Sequence, residues 1–333
     1  MSQPDYPISD WRVTLDGHDL TGRIAPRLLD LTLTESRGGE ADQLDLRIHD
    51  HDGRMALPKR AVELSVAIGW RDAGLIDKGV FRVDEVEHSG APDVITIRAR
   101  STDLTQPMRS RRERSWHDVT LGAVLRALAG EHNLQAKVAP ALADIAITHL
   151  DQAGESDINL LTRLGERYDA VATVKAGKLL FMPIGAGTSA GGVALPEATL
   201  TRADGDQHRY SVADRDRYSG VRAYWTDKAG ANRKSILVGD SGNAKRLRDS
   251  YSNESEAREQ AQAEWGRIQR GVAALSYTLA LGRADLYPEQ KLRVSGFGKP
   301  EIDDGRWLIA KTTHTITGSS GFTTALELET DAG

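Results

Sequence analysis

Two stretches near opposite ends of this 333-residue chain repeat one another, and the repeat limits the possible folds more than any other feature. Ile76 to His88, IDKGVFRVDEVEH, aligns without a gap on Ile302 to His314, IDDGRWLIAKTTH. Ile, Asp, Gly and His are identical, and Phe81/Trp307 and Val83/Ile309 are conservative partners. Upstream, Val66 and Ile68 fall on Leu292 and Val294 at the same offset. Each copy reads as a strand, an Asp-x-Gly hairpin turn and a second strand with an aromatic on its core face. On that pattern His88 and His314 are equivalent, hydrogen-bonded histidines at strand ends.

Around the repeat the chain alternates apolar and polar residues, the period of a half-buried strand. Leu29, Leu31 and Leu33 alternate, as do Leu44, Leu46 and Ile48, then Val62 to Ile68, then Ile95, Ile97 and Ala99. Arg37-Gly38-Gly39, His51-Asp52-Gly53 and Ser89-Gly90-Ala91-Pro92 read as turns between them. Alternation returns after residue 197: Val221, Ala223 and Trp225, a turn over Asp227 to Asn232, then Leu275 to Leu281, Leu292 and Val294, and finally Phe322 to Leu328. One helix interrupts, opened by an Asn253/Glu256 capping box, with Ala257, Ala261, Trp265 and Ile268 as its buried stripe. Short, evenly spaced strands of this kind predict a small barrel or sandwich at each end.

The middle of the chain is different. Residues 105 to 118 are polar and basic and read as a linker. Thr120 then caps a helix with apolar Leu121, Val124, Leu125, Leu128 and Ala129, and Asn133 suits a left-handed stop. Ser156 or Asp157 caps a second helix carrying Ile158, Leu160, Leu161, Leu164 and Tyr168. A hairpin follows: Val171 to Val174, a turn over Lys175 to Lys178, and Leu179 to Met182. Gly185 to Gly192, GAGTSAGG, reads as a flexible linker. The expected domains are a first β-barrel over 1–104, an α/β module with flanking linkers over 105–190, and a second β-barrel with one helix over 191–333.

The acidic-Ser-Asp helix start, the leucine pair, the aromatic at the helix end and the Gly-turn hairpin ending in Phe181 resemble the late-control protein D family. So do Trp116-x-x-x-Thr120-Leu121-x-x-Val124-Leu125 and the closing Gly321-Phe322-Thr323-Thr324-x-Leu326-x-Leu328 strand. Members of that family are tail hub subunits of contractile-tailed phages, related to the T-even tail hub and to the base of type VI secretion spikes. The resemblance spans nearly the whole chain. It implies an α+β, mainly β fold: two related β-barrel tube domains with an inserted LysM-like α/β module. It also implies a homotrimeric ring in the baseplate of a virion tail, assembled in the host bacterial cytoplasm. Its partners would be the tail tube protein, the tail spike protein, baseplate wedge proteins and the tape measure protein, with DNA only as passing cargo. Two similar domains per chain give a trimer six similar surfaces, which suits docking on a six-fold tube.

Composition agrees with a structural role and weakens the alternatives. A net charge of −5 argues against bulk nucleic-acid affinity, and the absence of cysteine removes disulfide and thiol chemistry. No apolar run approaches the roughly 20 residues of a membrane span, and the N-terminus lacks a secretory pattern. His49-Asp50-His51-Asp52 is the densest set of metal-ligand types, and Gly53 marks it as a solvated turn. Arg109, Arg111, Arg112 and Arg114 form the one basic run, read as a subunit-interface or solvated element. No nucleophile elbow, zincin, Walker or dinucleotide motif is present, and Gly185 and Gly187 precede no helix. Asp303 and Asp304 sit in the repeated turn, which explains them without a glycosidase dyad. No catalytic, cofactor-binding or metal-binding residue is assigned, and no cofactor is expected. Two other readings remain: a cell-wall binding or degrading protein that uses the LysM-like module, and a DNA-binding regulator that uses the arginine run.

Overall fold

The computed structural model describes residues 7–38, 40–59, 61–101, 106–175, 177–212, 218–227, 232–318 and 321–332. Gly39, Ala176, the 102–105 boundary and residues 228–231 of the expected Asp227–Asn232 turn lie outside them. The first lobe holds β1 (Ser9–Leu15), the two-residue β2 (His18–Asp19), the short α1 (Thr21–Ile24), β3 (Leu28–Ser36), β4 (Gln43–His49), β5 (Glu63–Trp70), β6 (Gly74–Ser89) and β7 (Val94–Ser101). Every second residue turns inward, so Leu31, Leu33, Leu44, Leu46, Leu64, Val66, Ile68, Phe81 and Val83 share one core. Each large apolar side chain buried there contributes on the order of 1.5–3 kcal/mol.

The central module contains β8 (Arg111–Thr120), α2 (Leu121–Glu131), β9 (Gln135–Val138), α3 (Pro140–Ala143), β10 (Ala146–Ser156), α4 (Asp157–Tyr168), β11 (Ala170–Lys175) and β12 (Lys178–Pro183). Both caps form as expected. Ala123 N–H donates to Thr120 Oγ1 at 3.2 Å and Asn159 N–H to Ser156 Oγ at 3.3 Å. Asn133 at φ 56° follows the His132 cap of α2, and Asp169 at φ 50° caps the end of α4. The β11–β12 hairpin gains a third strand, because β9 runs parallel beside β12.

Two expected linkers are ordered structure. The basic run continues as β8, an antiparallel partner of β10. Its inward positions are Arg112, Arg114 and Trp116, so ion pairs to the buried Asp157 take the place of the apolar alternation that usually announces a strand. The glycine-rich run folds as a tight loop. Thr188 bridges to Ala194, Ser189 N–H donates to Val193 O at 2.7 Å, and Gly185 N–H donates to Glu289 Oε2 at 2.9 Å.

The last third carries two cores. In one, β15 (Gly220–Asp227), β16 (Asn232–Gly239) and β17 (Ala244–Tyr251) form a small sheet under α5 (Glu254–Arg270), around Val221, Ala223, Ala257 and Ala261. Asn253 Oδ1 accepts Glu256 N–H at 2.9 Å, while the Glu256 carboxylate reaches Ser252 N–H rather than the cap residue. The second lobe consists of β13 (Ala198–Thr201), β14 (Gly205–Val212), β18 (Ala273–Leu279), β19 (Lys291–Ser295), the short α6 (Pro300–Asp303), β20 (Arg306–Thr317) and β21 (Gly321–Thr330). Its core centres on Tyr277 and Trp307. The expected alternation stops at Leu279, and Leu281 is exposed.

The hydrogen-bonded order is β3-β4-β7-β6-β5-β1 in the first lobe and β14-β18-β21-β20-β19-β13 in the second. Setting β2 aside, both read second, third, sixth, fifth, fourth, first in chain order. They differ at one edge, where β1 lies antiparallel to β5 and β13 lies parallel to β19. The lobes also fuse. The C-terminal half of β20 pairs with β3, making one 13-stranded sheet. That sheet branches at β20 and has free edges at β14, β13 and β2, so among the described residues neither lobe closes into the expected barrel.

The repeat itself needs two corrections. Asp77-Lys78-Gly79 is not a hairpin turn: β5 and β6 are joined at residues 71–73, and Asp77 to Gly79 form a bulge within β6. Gly79 sits at φ 96° and its N–H donates to Asp77 Oδ1 at 2.9 Å, a conformation that favours glycine. Only Asp303-Asp304-Gly305 lies in a connection, at the end of α6. The strands before the aromatic are also shifted by two residues: Phe81 pairs with Leu64, but Trp307 pairs with Leu292. A slip of two keeps every side chain on its face, so the apolar pattern could not reveal it.

Candidate functional site: an ionic junction between the lobes

The inward positions of β3 run Leu31, Leu33 and then Glu35, a carboxylate where the pattern calls for an apolar residue. The β6 bulge brings Lys78 to it, with Nζ 2.6 Å from Glu35 Oε2 and both side chains about 5 % exposed or less. From the second lobe, His314 Nε2 lies 3.3 Å from the same oxygen. From the central module, Lys175 Nζ lies 3.4 Å from Glu35 Oε1 and 3.2 Å from Asp42 Oδ2. Arg283 N–H donates to Thr324 Oγ1 at 2.9 Å. With Thr324 donating to His314 Nδ1, also at 2.9 Å, and His314 Nε2–H donating to Glu35, each group in the chain has a matched partner.

The electrostatics follow from that geometry. Burial pushes Glu35 up, but the His314 hydrogen bond and the Lys78 and Lys175 charges outweigh it and bring the carboxyl down to about 2. Burial lowers His314 against the pull of Glu35, so the ring is neutral. Burial raises Asp42, only partly offset by Lys175. Burial pulls Lys175 down, but Asp42 and Glu35 more than compensate and hold its ammonium above its ordinary value.

A second network starts two residues further along the chain, at Arg37. It pairs with Glu289 and, at 2.6 Å, with Glu329 of the second lobe. Glu329 also meets Arg270 of α5 at 3.1 Å, and Arg270 pairs with Asp169 at the end of α4. All four cores are therefore tied at one place, beside a cleft of about 360 Å³ between α4 and the end of α5. Apolar contacts reinforce it. Phe322, Ile316 and Ala284 of the second lobe are part of the first lobe's core, and Trp70 Nε1–H donates to Gly282 O at 2.8 Å.

The residues singled out in the sequence fall elsewhere, His314 excepted. Asp52 makes a bidentate pair with Arg27 at 2.6 and 2.7 Å, and that hydrogen bond holds its carboxyl well below the usual range. Asp50 accepts Met55 N–H at 3.1 Å, so the His49–Asp52 carboxylates are engaged in a turn. His88 and His314 are not equivalent: His88 is 42 % exposed near the end of β6, while His314 is 0 % exposed inside β20. Arg109 and Arg111 are exposed. Arg112 and Arg114 turn inward to Asp157 and Glu131. Asp303 accepts Phe297 and Gly298 N–H groups at 3.0 and 2.8 Å and thereby closes its own loop.

Glu131, His132 and Asp157 converge as a possible cation triad. Asp157 is fully buried, and burial would raise it, but Gln152, His132, Arg114 and Arg112 outweigh that and lower it. Two guanidinium groups already occupy the position a cation would take, so the cluster is a structural pair for β8 and α4. Sequence reasoning passed over Glu35, Lys78 and Lys175. The signal for the first was present as a charged residue at an inward strand position.

Residues 43–320 match the family described as phage tail baseplate hub (GPD). The chain is 45 % identical to the probable baseplate hub protein of Escherichia phage P2, over 96 % of this chain and 92 % of that protein. In fold it is similar to a tail protein from Neisseria meningitidis MC58, with a TM-score of 0.71 at 15 % identity over 97 % of each chain. It is also similar, with a TM-score of 0.57 at 15 % identity over 96 % of this chain and 76 % of the other, to an E. coli component of the type VI secretion system. That component is itself described as structurally similar to the T4 tail proteins gp27 and gp5. With the β-rich fold, the repeated strand order and the match over most of its length, the chain belongs to the phage tail baseplate hub family and is a structural component of the virion tail.

Proposed function

We propose that three copies of this chain form a ring that adapts the six-fold tail tube to the three-fold spike. The observation that carries this reading is the shared strand order of the two lobes, held in one continuous sheet. Three such chains present six similar surfaces to a tube above and three identical faces to a spike below. Duplication of one ancestral β-unit accounts for the common order, and the ionic junction keeps the two lobes at a fixed angle. The lobes, approximately 1–104 and 191–333, act as tube domains, and the 105–190 LysM-like module projects between them toward wedge proteins. The tape measure protein and DNA pass through the central channel, whose lining must not grip phosphate. The role is mechanical and involves no catalysis.

Native mass spectrometry of the purified chain, alone and co-expressed with its spike, tests the stoichiometry. The expected species has three times the 36.3 kDa chain mass, alone or bound to a spike trimer. A stable dimer in both preparations would falsify the ring.

A further inference from the structure

The β8–β10 ribbon has an inner face, built on Leu150, Gln152, Trp116 and Arg114, and an exposed outer face. On the outer face His117 lies directly opposite His149, and Ser115 directly opposite Asp151. The two imidazoles are 4.7 Å apart between ring centres, and their Nδ1 atoms are 3.1 Å apart. His149 Nε2 is 2.7 Å from Asp151 Oδ2, and Ser115 Oγ–H donates to Asp151 Oδ1 at 2.6 Å. His149 and Asp151 are 54 % and 53 % exposed, so water and ions reach the pair.

From this geometry we propose that His117 and His149 bind a divalent transition-metal ion of the zinc class through their Nδ1 atoms. With the Nε2–H of His149 donating to Asp151, the lone pair of a neutral ring lies on Nδ1, facing His117. Metal–nitrogen bonds of about 2.0–2.1 Å put two neighbouring ligands about 2.9–3.4 Å apart, and the observed separation lies within that range. A carboxylate on the distal ring nitrogen fixes the tautomer and makes the metal-facing nitrogen more basic. Ser115 holds that carboxylate in place through its 2.6 Å hydrogen bond to Asp151 Oδ1. Two imidazoles select zinc, nickel or copper(II) over magnesium or calcium, and water completes the coordination. A bound ion staples β8 to β10 on their outer face, opposite the Asp157 pairs on the inner one.

The test is titration of the full-length chain with zinc chloride by calorimetry, followed by long-range 1H–15N NMR of the histidine rings. The expected result is one ion per chain, with the Nδ1 signals of His117 and His149 shifting and that of His132 unchanged. His117→Ala and His149→Ala each abolish the binding, while His51→Ala leaves it intact. Asp151→Asn weakens it about 10–100-fold and lowers the population of the Nε2–H tautomer of His149, which a purely structural role for Asp151 would leave alone. Circular dichroism of these exposed-site variants confirms that they fold. The site is overturned if the native chain takes up no zinc at millimolar concentration, or if both histidine variants bind as the native chain does.

Discussion

The two lobes carry their six main strands in the same order but use the aligned Asp-x-Gly segment in opposite ways. In the first lobe it is a bulge within β6 that delivers Lys78 to the buried Glu35. In the second it ends the connection before β20, and Asp303 stays occupied with its own loop. Strand order persists because the sheet hydrogen bonds and the two-residue alternation specify it jointly. Local irregularities are free to diverge, and here one of them creates an asymmetric joint. The difference teaches that similar lobes become one body through the places where they are not alike.

That contrast can be broken most forcefully at Glu35. Glu35→Ala leaves Lys78 buried without its partner, and urea denaturation should show a loss of about 3–5 kcal/mol. Asp303→Ala, which removes only the carboxylate that accepts the Phe297 and Gly298 N–H groups, should cost about 1–3 kcal/mol. Next comes Gly282→Ala. A Cβ there would sit 2.3 Å from the Phe322 ring, so the interlobe packing must shift, at about 1–3 kcal/mol in the same assay.

Acid titration sharpens the comparison further. Glu35 is lowered from 4.5 to about 2, so the unfolded chain takes up this proton first. Its contribution of about 3 kcal/mol is complete above pH 4.5 and disappears as pH falls toward 2. His314, lowered from 6.5 by burial, acts in the same direction and starts to cost stability as pH drops below 6.5. Asp42 and Glu289, both raised by burial, act in the opposite direction and gain on acidification. A stability profile of native protein and Glu35→Gln should show the native slope between pH 4.5 and 2 flattened in the variant. Gly79→Ala forces a side chain into a left-handed bulge position and should cost about 1–2 kcal/mol. Smallest of all, Arg100→Ala removes an exposed pair with Asp84 and should change stability by less than about 1 kcal/mol.

Much of this fold is legible in the residue order. Leu31 and Leu33, Leu44 and Leu46, and Leu326 and Leu328 declare their strands by alternation. Thr120, Ser156 and Asn253 declare their helices by cap chemistry. Two features that the residue order hides share a physical cause: charged side chains stand at inward strand positions. Arg112 and Arg114 point inward because Asp157 is buried opposite them, so β8 looked like a linker. Glu35 ended an apolar series because its partners come from residues 78, 175 and 314, too distant in sequence to be paired by inspection. The stripe of α5 and the Val221–Ala223 strand are each legible, but their closing on one another as a core apart from the second lobe is not, because periodicity fixes a buried face and not the element that covers it.

In the proposed ring, each of three chains supplies two similar lobes. End-on electron microscopy of the purified protein, processed without imposed symmetry, tests it most directly. Three-fold particles with a central hole and six peripheral lobes are the predicted result. Two-fold particles, or rings with only three lobes, would contradict the account.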